Sequence, residues 1–169
     1  MNSLIEPRRS GLSSISVCHS SMSASLRVVV ASRSAENLAE TVRRIEAAGG
    51  IALAVPTDVT VEEQVVNLFD HVSAELGSVD VLVNNAGISV GGPTHELSLE
   101  IWQKVIDINL TGVFLTVREC TERMINHGCK GLICLVSSTG SLGTAGQINY
   151  SATKAAMSRS EERFSRNAE

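Results

Sequence analysis

With 169 residues, 43% of them hydrophobic, the chain is long enough to bury one substantial core and short enough to be a single domain. A formal net charge of -4 and only 3% aromatic residues leave no basic, aromatic-studded surface, which argues against nucleic-acid binding. The longest apolar runs, such as residues 131–136, are strand-sized and too short to cross a bilayer.

Residues 1–25 differ from the rest. The stretch is rich in serine, sets Arg8 and Arg9 against a single acidic residue, Glu6, and has no sustained periodicity. It reads as a leader without regular structure, or as coding sequence mis-joined to a domain. The same composition resembles an organelle transit peptide, which would imply import; otherwise the expected location is cytoplasmic.

From Leu26 onward, apolar strands alternate with amphipathic helices. The β-branched run "RVVVAS", residues 27–32, predicts a buried strand. Leu38, Val42 and Ile45 then share a helix face, closed by Gly49 and Gly50. "IALAVP" predicts a second strand, stopped by Pro56. Thr60, with Glu63 three residues later, fits a capping box. The helix it opens turns Val65, Leu68, Phe69, Val72 and Leu76 inward and ends at Gly77. "VDVLVN" predicts the third strand. After a glycine-containing loop, Ser98 caps a long helix through Ile101, Val105 and Ile108 toward Met124. "GLICLVS" predicts the fourth strand, and a last helix starting near Gln147 carries Tyr150. Such alternation makes βαβ units, hence an α/β fold with a parallel sheet and helices on both faces.

Cys18, Cys120, Cys129 and Cys134 show no paired spacing and read as reduced thiols. His19, His71, His95 and His127 are scattered, so no metal site is expected.

Ligands of open parallel sheets bind beyond the carboxyl ends of the strands. Here those ends carry Ser32 and Arg33, then Asp58, then "NNAG" (residues 84–87), then Ser137 and Ser138. Small or polar residues there let a nucleotide approach the backbone, although "NNAG" also suits a plain tight turn. Tyr150 is the chain's single tyrosine, and Lys154 lies one helical turn on, on the same face. A cation beside a phenol stabilises the phenolate, which fits the hydroxyl for proton transfer near neutral pH. Ser137 could donate a hydrogen bond to a substrate oxygen. Tyr-x-x-x-Lys alone is a weak signal; together with "NNAG", a strand-end serine and Asn109 in "INLTGVF", it is specific.

Residues 26–157 resemble the short-chain dehydrogenases/reductases. The resemblance rests on "TDV" (residues 57–59), "NNAG", "NLTGVF", "VSS" and "YSATK", in the family's order and approximate spacing. It implies an NAD(P)-dependent oxidoreductase on a Rossmann-type, doubly wound sheet, acting on a small carbonyl or alcohol. Asp58 and Val59 would meet the adenine; Asn84, Ala86 and Gly87 would line the cofactor. Asn109, Ser137, Tyr150 and Lys154 would form a catalytic tetrad, with Ser138 the alternative to Ser137. Tyr150 would exchange a proton with the substrate oxygen, and Lys154 would also hold the nicotinamide ribose. The wording of the core most resembles reductases of 3-oxoacyl thioesters. Ser32 stands where an acidic residue would select NAD(H), and Arg33 after it can pair with a 2′-phosphate, which favours NADP(H).

Two departures qualify the resemblance. Family members open with a strand and a Thr-Gly-x-x-x-Gly-x-Gly turn that holds the pyrophosphate. No such spacing occurs here, and the pattern enters at the family's second strand. Residues 158–169 form a polar tail where the family continues an apolar helix. The expectation is therefore a partial Rossmann-type fold lacking its first strand, truncated at both ends. The alternative function is a non-catalytic family member that partners a full-length relative, with homo- or hetero-oligomers forming through the long helices.

Overall fold

A computed structural model describes residues 15–20 and 26–159 of the chain. Residues 1–14 and 21–25 of the expected leader, and 160–169 of the polar tail, lie outside the described residues. Five strands form one sheet: β1 (Ile15–Ser20), β2 (Leu26–Ser32), β3 (Ile51–Pro56), β4 (Val81–Asn84) and β5 (Leu132–Leu135). The spatial order is β3-β2-β1-β4-β5, that of a doubly wound α/β sheet. β2 pairs parallel with β3, and β4 with β5, as the alternation predicts.

The centre of the sheet corrects the reading of residues 1–25. Ile15–Ser20 is part of the fold: it pairs antiparallel with both β2 and β4, so the sheet has five strands and is mixed. The position expected to be empty is filled by a strand of reversed direction. The physical reason is the gap itself. β2 and β4 each turn an unpaired row of N–H and C=O groups toward it, and buried backbone groups must find partners. Either strand direction satisfies them.

Five α-helices flank the sheet: α1 (Ala35–Ala47), α2 (Glu62–Leu76), α3 (Leu99–Ile106), α4 (Gly112–Asn126) and α5 (Ile148–Met157). On one face, the buried stripe Val65, Leu68, Phe69 and Val72 of α2 packs with Val29 and Ala31 of β2, Leu82 of β4, and Leu115 and Cys120 of α4. Strand alternation turns Val30 to the other face, where α1 covers β2 and β3 with Leu38 buried. Burial also pushes the Cys120 thiol up to about 12, consistent with an inert packing residue.

Two local expectations change. Thr60 does not cap α2; Val61 stands at that position without a side-chain cap. The helix starts one residue later than expected, and the Thr60 hydroxyl and N–H both donate to Asp58 Oδ1, at 2.7 and 3.0 Å, in a turn ahead of it. The long helix from Ser98 forms as expected, with a local change. Ser98 caps it, accepting from the Ile101 N–H, and the backbone stays helical to Asn126, but a π-helical turn at Asp107–Thr111 lies between α3 and α4. Such single-turn bulges occur often at functional sites, and this one carries Asn109.

The role of β1 can be measured. Val17 pairs with Val29 on one side and Leu82 on the other. Val17→Pro removes a backbone donor inside a central strand, where proline is not accommodated. Urea unfolding should show a loss of about 1–3 kcal/mol or more, the cost of an orphaned buried backbone group. Val17→Ala keeps that N–H and serves as the control; a proline variant as stable as it would remove β1 from the sheet.

Candidate active site

Everything expected to carry chemistry sits at or beyond the carboxyl ends of β2 to β5, but the side chains are used in different ways. Asn84, at the end of β4, is fully buried and belongs to the sheet's interior. Its Oδ1 accepts from the Thr116 hydroxyl of α4 at 2.8 Å, and its carbonyl accepts from the Val136 N–H at 3.0 Å. In the turn that follows, Ala86 is buried with the core and Gly87 is half-buried.

Asn109 fixes that turn. Its Oδ1 accepts from the Ile88 N–H at 2.8 Å and its Nδ2 donates to the Ile88 carbonyl at 2.9 Å, so one side chain pairs with one residue's backbone as a strand would. The π-helical turn makes this reach available by displacing Asn109 from the ordinary helical repeat. A side chain on Gly87 would lie 3.3 Å from Asn109 Oδ1 and 3.7 Å from Lys154 Nζ, so glycine keeps these groups close together.

Lys154 and Tyr150 occupy one face of α5, as their spacing predicts. The Lys154 ammonium lies 5.8 Å from the centre of the Tyr150 ring and donates to the Val136 carbonyl at 2.7 Å. Only 4% of Lys154 is exposed, and burial pushes its pKa below the ordinary lysine value. Its remaining contact is with Met157 Sδ at 3.7 Å, and no carboxylate pairs with it among the described residues. The Tyr150 ring rests against Gly140 of the 3-10 turn Thr139–Leu142, where a Cβ would come within 2.9 Å of it. Its hydroxyl makes no hydrogen bond among the described residues.

The structure thus gathers Asn109, Tyr150 and Lys154. It does not bring the Ser137 hydroxyl to Tyr150. Ser137 lies within hydrogen-bond distance of the Lys154 carbonyl at 3.3 Å and of the Ser158 hydroxyl at 3.2 Å, toward the far end of α5. Ser138 stands in extended backbone, so successive side chains diverge, and its hydroxyl faces the Gly140 turn beneath Tyr150.

At the other end of the crevice, Arg33 lies 3.9 Å from Asp58 Oδ2, with the Arg33 side chain 59% exposed. Val59 is buried behind them in the core. Arg33, Thr60, Gln103, Lys104 and Ile108 line a concavity of about 450 Å³ beside this pair. A second concavity, of about 550 Å³, runs along Ser151, Ala152 and Ala155, on a face of α5 away from Tyr150 and Lys154.

Sequence reasoning missed three buried polar residues that hold the site: Thr116, Asn149 and Thr153. Asn109 Nδ2 reaches Thr153 Oγ1 at 3.4 Å, and that hydroxyl donates to the Tyr150 carbonyl at 2.8 Å. Their only signal was their place beside recognised motif residues.

The residues at both ends suit a nicotinamide dinucleotide: small groups and a lysine ammonium at one, an arginine and a carboxylate at the other. The sequence offers no glycine-rich donor set for the pyrophosphate between them. Known proteins resolve the class. A family model described as short chain dehydrogenase matches residues 10–167, and the chain belongs to that family.

Among its relatives, a 3beta-hydroxysteroid dehydrogenase of Eggerthella lenta is 48% identical over 61% of this chain and 40% of its own length. A 3-oxoacyl-[acyl-carrier-protein] reductase of Synechocystis is 38% identical over 78% of this chain and 54% of its own. The chain therefore spans about half the length of the curated relatives it matches. Among solved structures, a gluconate 5-dehydrogenase of Burkholderia cenocepacia, in complex with NADP and tartrate, matches with a TM-score of 0.69 and 32% identity. That match covers 76% of this chain and 51% of the other. An NAD+-bound xylitol dehydrogenase matches with a TM-score of 0.73 and 25% identity, over 78% and 51%. Family members of this shape hold either cofactor.

The buried ammonium gives a prediction in the apo protein. In the folded chain Lys154 loses its proton at lower pH than in the unfolded chain, where the pKa is about 10.4. Between those two values the unfolded state binds more protons, so stability from this group rises with pH. Lys154→Met should abolish that rise, read as Tm against pH below about 10.4. Parallel profiles for the two proteins would show that the ammonium is not desolvated.

Proposed function

We propose that this chain carries the proton-transfer half of a nicotinamide-dependent oxidoreductase site for a small carbonyl or alcohol. The observation that supports it best is Lys154: a buried ammonium without a carboxylate partner among the described residues, 5.8 Å from the Tyr150 ring, in a family of dehydrogenases. A bare structural lysine would be expected to carry a counter-ion or reach water.

Tyr150 gives a proton to the oxygen of a ketone, or takes one from an alcohol. Lys154 favours the phenolate, and its N–H not used by Val136 or Met157 is available to ribose hydroxyls. Asn109 holds Ile88, and with it Ala86 and Gly87, in the shape that admits a nucleotide. Asp58 and Val59 border the adenine end, where Arg33 is available to a 2′-phosphate, so NADP(H) is preferred over NAD(H). When bound, the nicotinamide supplies or accepts the hydride. The oxygen-orienting hydroxyl is Ser137, as its spacing from Tyr150 suggests, with Ser138 the alternative, supported by its hydroxyl facing the Gly140 turn. The 3-oxoacyl and steroid relatives suggest a ketone or secondary alcohol on an apolar skeleton.

A second reading, a non-catalytic chain that partners a full-length relative, is favoured by one observation. β1 runs antiparallel, so its carboxyl end, Ser20, lies beside Leu26 at the amino ends of the parallel strands and not at the crevice, where a family strand would lead into the pyrophosphate turn. Charge-assisted hydrogen bonds contribute about 1.5–3 kcal/mol each, so lacking two weakens cofactor binding by roughly a hundredfold or more. Low activity of this chain alone is the expectation.

Titrating NADPH and NADH into the chain separates the readings. Weak binding that favours NADPH and drops toward the NADH level in Arg33→Ala supports the first; no binding of either supports the second.

Turnover of a small ketone should fall by about a hundredfold or more in Tyr150→Phe, with NADPH affinity unchanged, whereas Lys154→Ala should weaken both. The deeper loss among Ser137→Ala and Ser138→Ala identifies the hydroxyl that orients the oxygen.

A further inference from the structure

Asn149 stands immediately before Tyr150 and has 0% exposure, in a helix whose first turn receives no capping side chain from Gln147. A buried carboxamide has two donors and an acceptor to satisfy, and leaving them unmet is costly. Asn149 uses one donor across an element boundary and its acceptor within α5. Its Nδ2 donates to the Val90 carbonyl, in the loop after β4, at 3.0 Å. Its Oδ1 accepts from the Tyr150 N–H at 2.8 Å, satisfying one of the orphan donors at the start of α5.

The same junction is closed by backbone. A Cβ on Gly91 would overlap the Gly146 carbonyl oxygen, so the loop and the entry to α5 touch without side chains between them. The loop that carries Ala86 and Gly87 is therefore held twice: at Ile88 by Asn109, from the π-helical turn, and at Val90 by Asn149, from α5. The second tether ends on the peptide of the tyrosine itself.

We infer that Asn149 is a positioning residue, which sets Tyr150 against the nucleotide-facing loop by bonding both. The inference rests on the proposed role of Tyr150 as the proton-transfer group. Its test uses the protein without cofactor or turnover, so the two can fail separately.

Tyr150 is the only tyrosine, so tyrosine labelled with carbon-13 at Cζ yields a single resonance that reports the phenol's surroundings. Asn149→Ala removes both bonds. It should move that resonance toward the value of free tyrosine and speed amide exchange at Tyr150 by roughly tenfold. Asn149→Asp keeps the acceptor for the Tyr150 N–H but sets an oxygen against the Val90 carbonyl. It should leave the Tyr150 amide protected, loosen the loop around Val90, and still displace the resonance.

Gly91→Ala opens the same junction without touching Asn149 and should displace the resonance in the same direction. It stands in if an Asn149 variant fails to fold. A resonance that stays at the wild-type position in Asn149→Asp and Gly91→Ala, with only thermal stability reduced, would make Asn149 a helix cap and overturn the inference.

Discussion

The two halves of the sheet meet only through β1. β2 and β3 carry Arg33 and lead to Asp58; β4 and β5 carry the turn to Gly87 and the approach to Ser137 and Ser138. No ladder joins β2 to β4 directly, so the spacing between the Arg33–Asp58 end and the Tyr150–Lys154 end depends on the width of that one strand. Neighbouring strands lie about 4.8 Å apart, and β1 therefore keeps β2 and β4 two spacings apart. The core of α2 and α4 reinforces this width by packing across the join, touching both Val29 and Leu82.

Within the half that carries Tyr150 and Lys154, buried polar groups tie the elements together. Asn109, Thr153, Asn149 and Lys154 are all nearly inaccessible, and each bonds to backbone from another element or to a group that does. Every such bond adds only about 1 kcal/mol net, yet a missing partner strands a buried donor or acceptor at greater cost. That asymmetry suits a site whose parts must hold one geometry. Ion pairs play a lesser part: Arg118 with Glu62 and Arg123 with Asp70 staple α4 to α2 at the surface, where solvent screens them.

The ends of the crevice differ in how their charges are treated. Arg33 and Asp58 face solvent at 3.9 Å, a loose pair that an arriving phosphate could share at small cost. Lys154 has the opposite setting, buried beside a carbonyl, a thioether and an aromatic ring. A cation so placed acts strongly on its neighbours because little water screens it.

The alternation of apolar runs and amphipathic stretches was enough for the α/β class, for four strands and the faces of their helices, and for Tyr150 beside Lys154. Each follows from local periodicity, which the chain expresses without reference to distant residues. Family motifs added the roles expected of Asn109, Asp58 and the "NNAG" turn.

Tertiary structure decided the rest. Residues 15–20 have weak local character and became a strand because two unpaired ladders flanked a gap, which is information held by β2 and β4. Thr60 lost its capping role because the helix starts one residue later, leaving Thr60 in a turn closed by Asp58, and Asn109 lies in a π-helical turn that the pattern alone does not mark. Ser137 and Ser138 are equivalent as letters, and only the direction of the backbone after β5 sets one toward Ser158 and the other toward the turn under Tyr150. Periodicity states which side of an element is buried; which partners a buried polar atom meets depends on packing between segments far apart in the chain.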